Sequence, residues 1–187
     1  MDKNPLLPML QGSDRRSIGK ANQVATKILR EVRLFPKLIE LLWHDEAIVR
    51  MRAADVTEKI SAQKPALLQS HKSQLLNLAT ETTQQELRWH LALMLPHLKL
   101  NSSERAKAIA TLRTYLSDRS SIVKTFALQG LTDLAHDDPA TASEILDLLH
   151  QSTRTGTPAM KARARKLLTQ LQKKSTPTKR KHPPKRL

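Results

Sequence analysis

One pattern recurs four times in this chain at nearly constant spacing. Val49-Arg50-Met51-Arg52-Ala53, Leu87-Arg88-Trp89-His90-Leu91, Val123-Lys124-Thr125-Phe126-Ala127 and Met160-Lys161-Ala162-Arg163-Ala164 begin 38, 36 and 37 residues apart. Each opens on an apolar residue followed by a cation. Each then runs into an apolar stripe: Val56 and Ile60, Met94 and Leu98, Gly130 with Leu131 and Leu134, Leu167 and Leu171. A fixed period near 37 residues marks stacked helical pairs, because one pair alone cannot bury its apolar face and its neighbours in a stack can.

The rest of the chain agrees with helix. Leu and Ala dominate the apolar positions and β-branched runs are scarce, which favours helix over strand. With four Gly, the chain has little of the turn chemistry a β-fold needs. The apolar spacing predicts a flexible lead over 1–14, with a capping helix from Arg15 to about Arg33. Four pairs follow: 34–43 with 47–61, 69–80 with 86–98, 103–116 with 122–135, and 139–150 with 158–172. The repeat domain thus spans 15–172. Ser102 or Ser103 is the expected cap of the fifth of these helices. Pro96 should kink or end its helix, and Pro158 suits a first turn. Residues 173–187 hold three Pro and no apolar residue before Leu187, so they read as a disordered basic tail.

These repeats resemble the HEAT-repeat family of armadillo-like α-solenoids. The likeness rests on an Asp in the turn, an apolar-plus-cation pair opening the second helix, then Ala and Leu at core spacing. Asp45 precedes Val49-Arg50 in this way, and Asp118 precedes Val123-Lys124. The second repeat departs, with Gln84-Gln85-Glu86 in place of the turn Asp, and so does the fourth, with Thr155-Gly156-Thr157. The resemblance covers about residues 15–172. It implies an all-α, right-handed solenoid of about four helical hairpins with an N-terminal capping helix. It further implies a surface that binds proteins or, in some members, nucleic acid; a few HEAT-like members are DNA glycosylases.

Charge narrows the partners. The chain carries 32 Lys and Arg against 17 Asp and Glu. Seven of the cations lie in 173–187, so residues 1–172 keep 25 cations against the same 17 acids. A body basic without its tail favours polyanionic partners. The absence of Cys excludes disulfides, thiol nucleophiles and thiolate metal sites. No run approaches the about 20 apolar residues of a membrane span, and Leu6-Leu7-Pro8-Met9-Leu10 is too short for a signal-peptide core. An intracellular, cytoplasmic location is expected, or a nuclear one in a eukaryote.

The first-position cations Arg50, Arg88, Lys124 and Lys161 should form a ladder, with rungs about 10 Å apart if the helices pack as helices usually do. Such a ladder could follow an acidic helix or a phosphate backbone. It could equally bond turn carbonyls and turn acids such as Asp45 and Asp118, the use that the HEAT resemblance implies. Two residues beyond each of these, Arg52, His90 and Arg163 form a second set expected to face solvent, interrupted by Phe126. The last helix is denser, with Lys161, Arg163, Arg165 and Lys166. From Gln151 onward there are 12 cations and no acid, where a solvated face usually mixes both signs. The tail adds Lys179, Arg180, Lys181, Lys185 and Arg186, in the manner of a basic targeting or nucleic-acid arm. Trp43 and Trp89 read as gap fillers between repeats.

The seven His show no metal-ligand spacing, no Gly-rich phosphate loop exists, and no nucleophile, base and orienter assemble. No cofactor, metal or small-molecule substrate is implied. The expected function is a non-catalytic scaffold whose basic face docks an acidic protein. The alternatives are a protein that binds the backbone of duplex DNA or RNA and, behind both, a glycosylase-like enzyme.

Overall fold

Packing begins with the N-terminal segment, which the sequence leaves as a flexible lead. In the computed structural model, which describes residues 4–14, 17–135 and 139–175, Leu6 and Leu10 are fully buried. A short helix α1 (Leu7–Leu10) rests on α2 (Ala21–Arg30) and α4 (Ala47–Gln63). Asn4 donates to the Lys37 carbonyl at 2.7 Å. The apolar cluster around Leu6 has a destination, and that corrects the expected flexible lead over the described residues 4–14. The capping helix is also shorter than the 15–33 that its periodicity suggests.

Every element among the described residues is helical. After α2 come α3 (Phe35–Glu40), flanked by 3-10 turns, and then α4. A 3-10 stretch over Pro65–His71 leads into α5 (Lys72–Glu81), followed by α6 (Gln85–Met94). Pro96 ends α6 as expected: the chain tightens into a 3-10 turn over Leu95–His97. Then come α7 (Ser102–Tyr115), α8 (Ser121–Leu134), α9 (Pro139–Thr155) and α10 (Pro158–Ser175). The cap of α7 is Asn101, not Ser102 or Ser103. Its side chain accepts from the Glu104 amide while Glu104 accepts from the Asn101 amide, which satisfies two backbone donors at once. Helix α10 runs three residues into the segment read as tail, and residues 176–187 lie outside the described ones.

The second helix of each pair packs on the second helix of the next, α4 on α6, α6 on α8 and α8 on α10. At Gly130, α8 comes up close against α6. A Cβ added at Gly130 would collide with the Ala92 carbonyl oxygen and lie 2.8 Å from Leu112 Cδ1. Around this seam Leu91, Ala92, Leu112, Val123, Leu128 and Leu131 are all fully buried. Burying side chains of this size gives about 1.5–3 kcal/mol each before entropy is subtracted. The first helices are tied too: Tyr115 of α7 is buried and donates to the Ala79 carbonyl of α5 at 2.6 Å.

Candidate functional site

The first two ladder cations are spent inside the fold. Arg50 donates to the carbonyls of His44 and Asp45 at 2.7 and 2.8 Å, closing its own turn. Its Nε also donates to Gln84 Oε1 at 2.7 Å, and Gln84 Nε2 returns a bond to the Ala47 carbonyl at 2.9 Å. Arg88 repeats this one hairpin later. It donates to the Thr82 carbonyl at 2.9 Å and to Asp118 Oδ2 at 2.6 Å, with its guanidinium 5.3 Å from the centre of the Tyr115 ring. Each Arg thus closes one turn and grips the next. Gln84, which reads in sequence as a departure from the turn Asp, accepts from Arg50 as Asp118 accepts from Arg88.

Asp118 shows the electrostatics of this joint. Burial pushes its carboxyl up, but the Ser120 amide, Arg88 and Lys124 outweigh burial and hold it below the usual carboxylate range. Burial also raises the Tyr115 hydroxyl well above its ordinary value, only partly offset by Arg88.

The second set does not face solvent, which corrects that expectation. Arg52 is 3% exposed. It donates to four backbone carbonyls of the N-terminal segment: Leu10 at 3.1 Å, Gln11 at 2.6 Å, Asp14 at 3.0 Å and Ser17 at 3.1 Å. A guanidinium has five N–H donors in a rigid fork, which suits it to gather carbonyls from an irregular segment. His90 is buried, with Nδ1 2.6 Å from Glu58 Oε2 on α4. Arg163 is half-buried, 5.3 Å above the Phe126 ring. It donates to Gln129 Oε1 at 3.0 Å, and Gln129 in turn donates to both Asp133 carboxylate oxygens at 3.0 and 2.8 Å. Arg52 therefore staples the N-terminal segment to α4, while His90 and Arg163 each tie their helix to the one two helices earlier, α4 and α8. Phe126 belongs to this set as the surface on which Arg163 lies.

The remaining cations stand differently. Lys124 and Lys161 are half-buried at the turn edge, while Arg165, Lys166 and Lys173 on α10 and Arg154 on α9 are exposed. Lys124 lies close enough to Asp118 to help hold its carboxyl down, whereas the other five side chains form no ion pair with an acid among the described residues. Of the acids on α9, Glu144 is taken by Arg113 of α7 at 2.5 Å. Arg165 occupies an informative place. The fifth residue after each repeat start is Ala54, Ala92, Leu128 and Arg165. The first three are fully buried and Arg165 is exposed. A cation where the corresponding positions of the earlier helices are core gives α10 a polar outer side. The cations Lys179, Arg180, Lys181, Lys185 and Arg186 lie outside the described residues.

The tryptophans divide. Trp89 is half-buried against the core and packs as a gap filler, whereas Trp43 is 45% exposed and is not one. An open cleft of about 530 Å³ lies between α8 and α10 over Leu167 and Leu171, with Asp133 and Lys173 at its walls. Neither tryptophan lines it. Among the described residues no group of three His, Asp or Glu is placed to hold a metal ion, and no helix is long and apolar enough to cross a membrane. No protein-family model, curated protein or solved structure matches this chain.

Proposed function

We propose that this chain is a non-catalytic scaffold of HEAT-like build, a right-handed solenoid of four hairpins, that docks an acidic partner through α10. The stacking of the second helices supports the build. The Arg50 and Arg88 joints support it further, since each clamps one turn to the next. The observation that carries the function is the contrast in cation use. Arg50, Arg52, Arg88 and His90 have acceptors within the fold, while Arg165, Lys166 and Lys173 are exposed on a helix with no acid of its own. The basic face is thus narrower than the four-repeat ladder, and Arg163 serves it from the side, held by Gln129 and Phe126.

Retention on heparin, a generic polyanion, tests this. The R165Q/K166Q double variant should elute at clearly lower salt than wild type. K20Q/K99Q removes two exposed cations that lie outside α10, and should elute close to wild type. Equal shifts in the two variants would mean that net charge alone drives retention. Wild type passing through at low salt would end the reading altogether.

A further inference from the structure

We infer that the acidic partner is the phosphate backbone of duplex nucleic acid, met by the exposed arc of α10 without regard to base sequence. This rests on the polyanion-docking reading above and gives it a chemical class. The first argument is what the arc lacks. Its exposed side chains are Arg165, Lys166, Thr169, Gln170, Gln172 and Lys173, along with the small residues Pro158, Ala159 and Ala162. It carries no acid and no large apolar side chain. Protein–protein interface cores are enriched in aromatic residues, Met and Arg, and depleted in Lys. Their binding energy comes mostly from a few buried anchors, and this arc offers no anchor. A phosphate backbone needs none: its affinity comes from cations that displace condensed counterions, helped by neutral donors that fix register.

The second argument is placement. Lys166 and Lys173 are seven residues apart, so they lie on one line along the helix at about 10 Å separation. Thr169 lies between them, its hydroxyl donating back to the Arg165 carbonyl at 3.0 Å, and Arg165 flanks them one residue away. Lys161 sits one turn before Arg165, on its side of the helix. Arg154 is exposed at the end of α9, before the short turn into α10. Two cationic lines on one rigid helix present charge to a rod-like polyanion without rearrangement.

The third argument separates double from single strands. Binding of single strands relies on aromatic side chains on which bases stack. The aromatic ring that α10 touches through Arg163, that of Phe126, is covered by the guanidinium, and none of the exposed side chains of the arc is aromatic. The arc therefore suits a backbone whose bases are already stacked on one another.

The test is a salt titration of affinity for a short mixed-sequence DNA duplex, the matching single strand and poly-glutamate. Wild type should bind the duplex with a log–log salt slope of about −3 to −4.5, as expected for three to five phosphates neutralised. R165Q/K166Q should flatten that slope by about two units. K20Q/K99Q should leave it within about half a unit, and both variants should keep the wild-type circular dichroism. Retention on heparin together with binding to poly-glutamate but not to duplex would overturn this inference in favour of an acidic protein, and leave the docking reading standing. Tighter binding to the single strand would overturn the duplex assignment. Equal flattening by both double variants would remove α10 as the site. Binding to no probe, heparin included, would sink both readings.

Discussion

The first two hairpins and the last one carry the same cation in the same register, yet they use it differently. Arg50 finds Gln84 in the following turn, and Arg88 finds Asp118. The turn after Lys124 is Thr155-Gly156-Thr157, which offers neither a carboxylate nor a side-chain amide. There the turns meet through Ser121 and Thr157 hydroxyls 3.3 Å apart. Lys161 belongs to the last hairpin among the described residues, and no further turn is described after it. The comparison teaches that a repeat's sequence does not by itself decide whether its cation is structural. The acceptor in the next repeat decides. Where that acceptor is present the guanidinium becomes a joint, and where it is missing the charge stays at the surface.

The comparison breaks most readily at Arg52, where the largest effect is expected. Arg52→Gln removes a fork that satisfies four carbonyls, and each buried polar group left unpaired costs about 1–3 kcal/mol. The N-terminal segment can lift partly into water and recover some of this, so a net loss of about 3 kcal/mol is expected in chemical denaturation. Faster proteolysis between residues 10 and 20 should accompany it. A loss under about 0.5 kcal/mol, the range of ordinary surface changes, would show that this Arg is no more structural than those of α10.

The seam between the two regions should be nearly as sensitive. Gly130→Ala places a Cβ against the Ala92 carbonyl oxygen and Leu112, and backbone cannot rotate aside as a side chain can. Overpacking of this kind costs about 1–3 kcal/mol, against a gain of about 1 kcal/mol in helix propensity. A net loss of about 1–2 kcal/mol in the unfolding free energy is expected. A stabilised variant would show that α6 and α8 are farther apart than described.

These two sites also show where sequence reasoning reached and where it stopped. The four pairs were legible because apolar side chains recur at 3.6-residue spacing whatever they touch, and Pro96 and Pro158 act locally. The partners of the cations were not. Arg52 reaches back 35 to 42 residues to backbone carbonyls, and a carbonyl carries no side-chain signature. Gln84 looked like the loss of a turn acid because charge was expected where only an acceptor was needed. The surface of α10 was legible for the opposite reason. Exposed side chains have few partners, so their composition is most of their chemistry, and a run of 12 cations without an acid is visible in the sequence. The buried Leu6 and Leu10 were missed because four residues make too short a helix to show a period.

Asp118 sharpens the structural side of the comparison through pH. Its folded carboxyl titrates below the usual range, so its contribution is fully present above about pH 4, the ordinary Asp value. That contribution is lost as pH falls through the depressed folded value. D118N should cost about 1 kcal/mol at pH 7, the net worth of one partly exposed charged hydrogen bond. Wild type should then lose more stability between about pH 4 and pH 2 than the variant does. Parallel stability curves for the two proteins over that interval would mean that the Arg88 joint contributes nothing to the fold.

The smallest effect on folding is expected at the two cations on which the functional reading rests. R165Q/K166Q exchanges two exposed side chains for one of similar helix propensity, and disturbs no hydrogen bond or ion pair described for either side chain. The unfolding free energy should stay within about 0.5 kcal/mol of wild type. For a chain of this length that is a midpoint shift of no more than about 2 °C. R50Q/R88Q removes the same net charge from the other region and breaks both joints. Each substitution there forfeits charged hydrogen bonds worth about 1 kcal/mol or more, so a loss of at least about 2 kcal/mol should follow. Thermal unfolding of the two double variants side by side isolates position from charge, because each loses two positive charges. If R165Q/K166Q falls as far as R50Q/R88Q, the α10 cations are structural like the rest, and the surface assigned to the partner disappears with the contrast. If R50Q/R88Q is the one that unfolds early, charge in this molecule is divided by the reach of the next turn, and Arg165 and Lys166 on α10 are charge that the fold does not use.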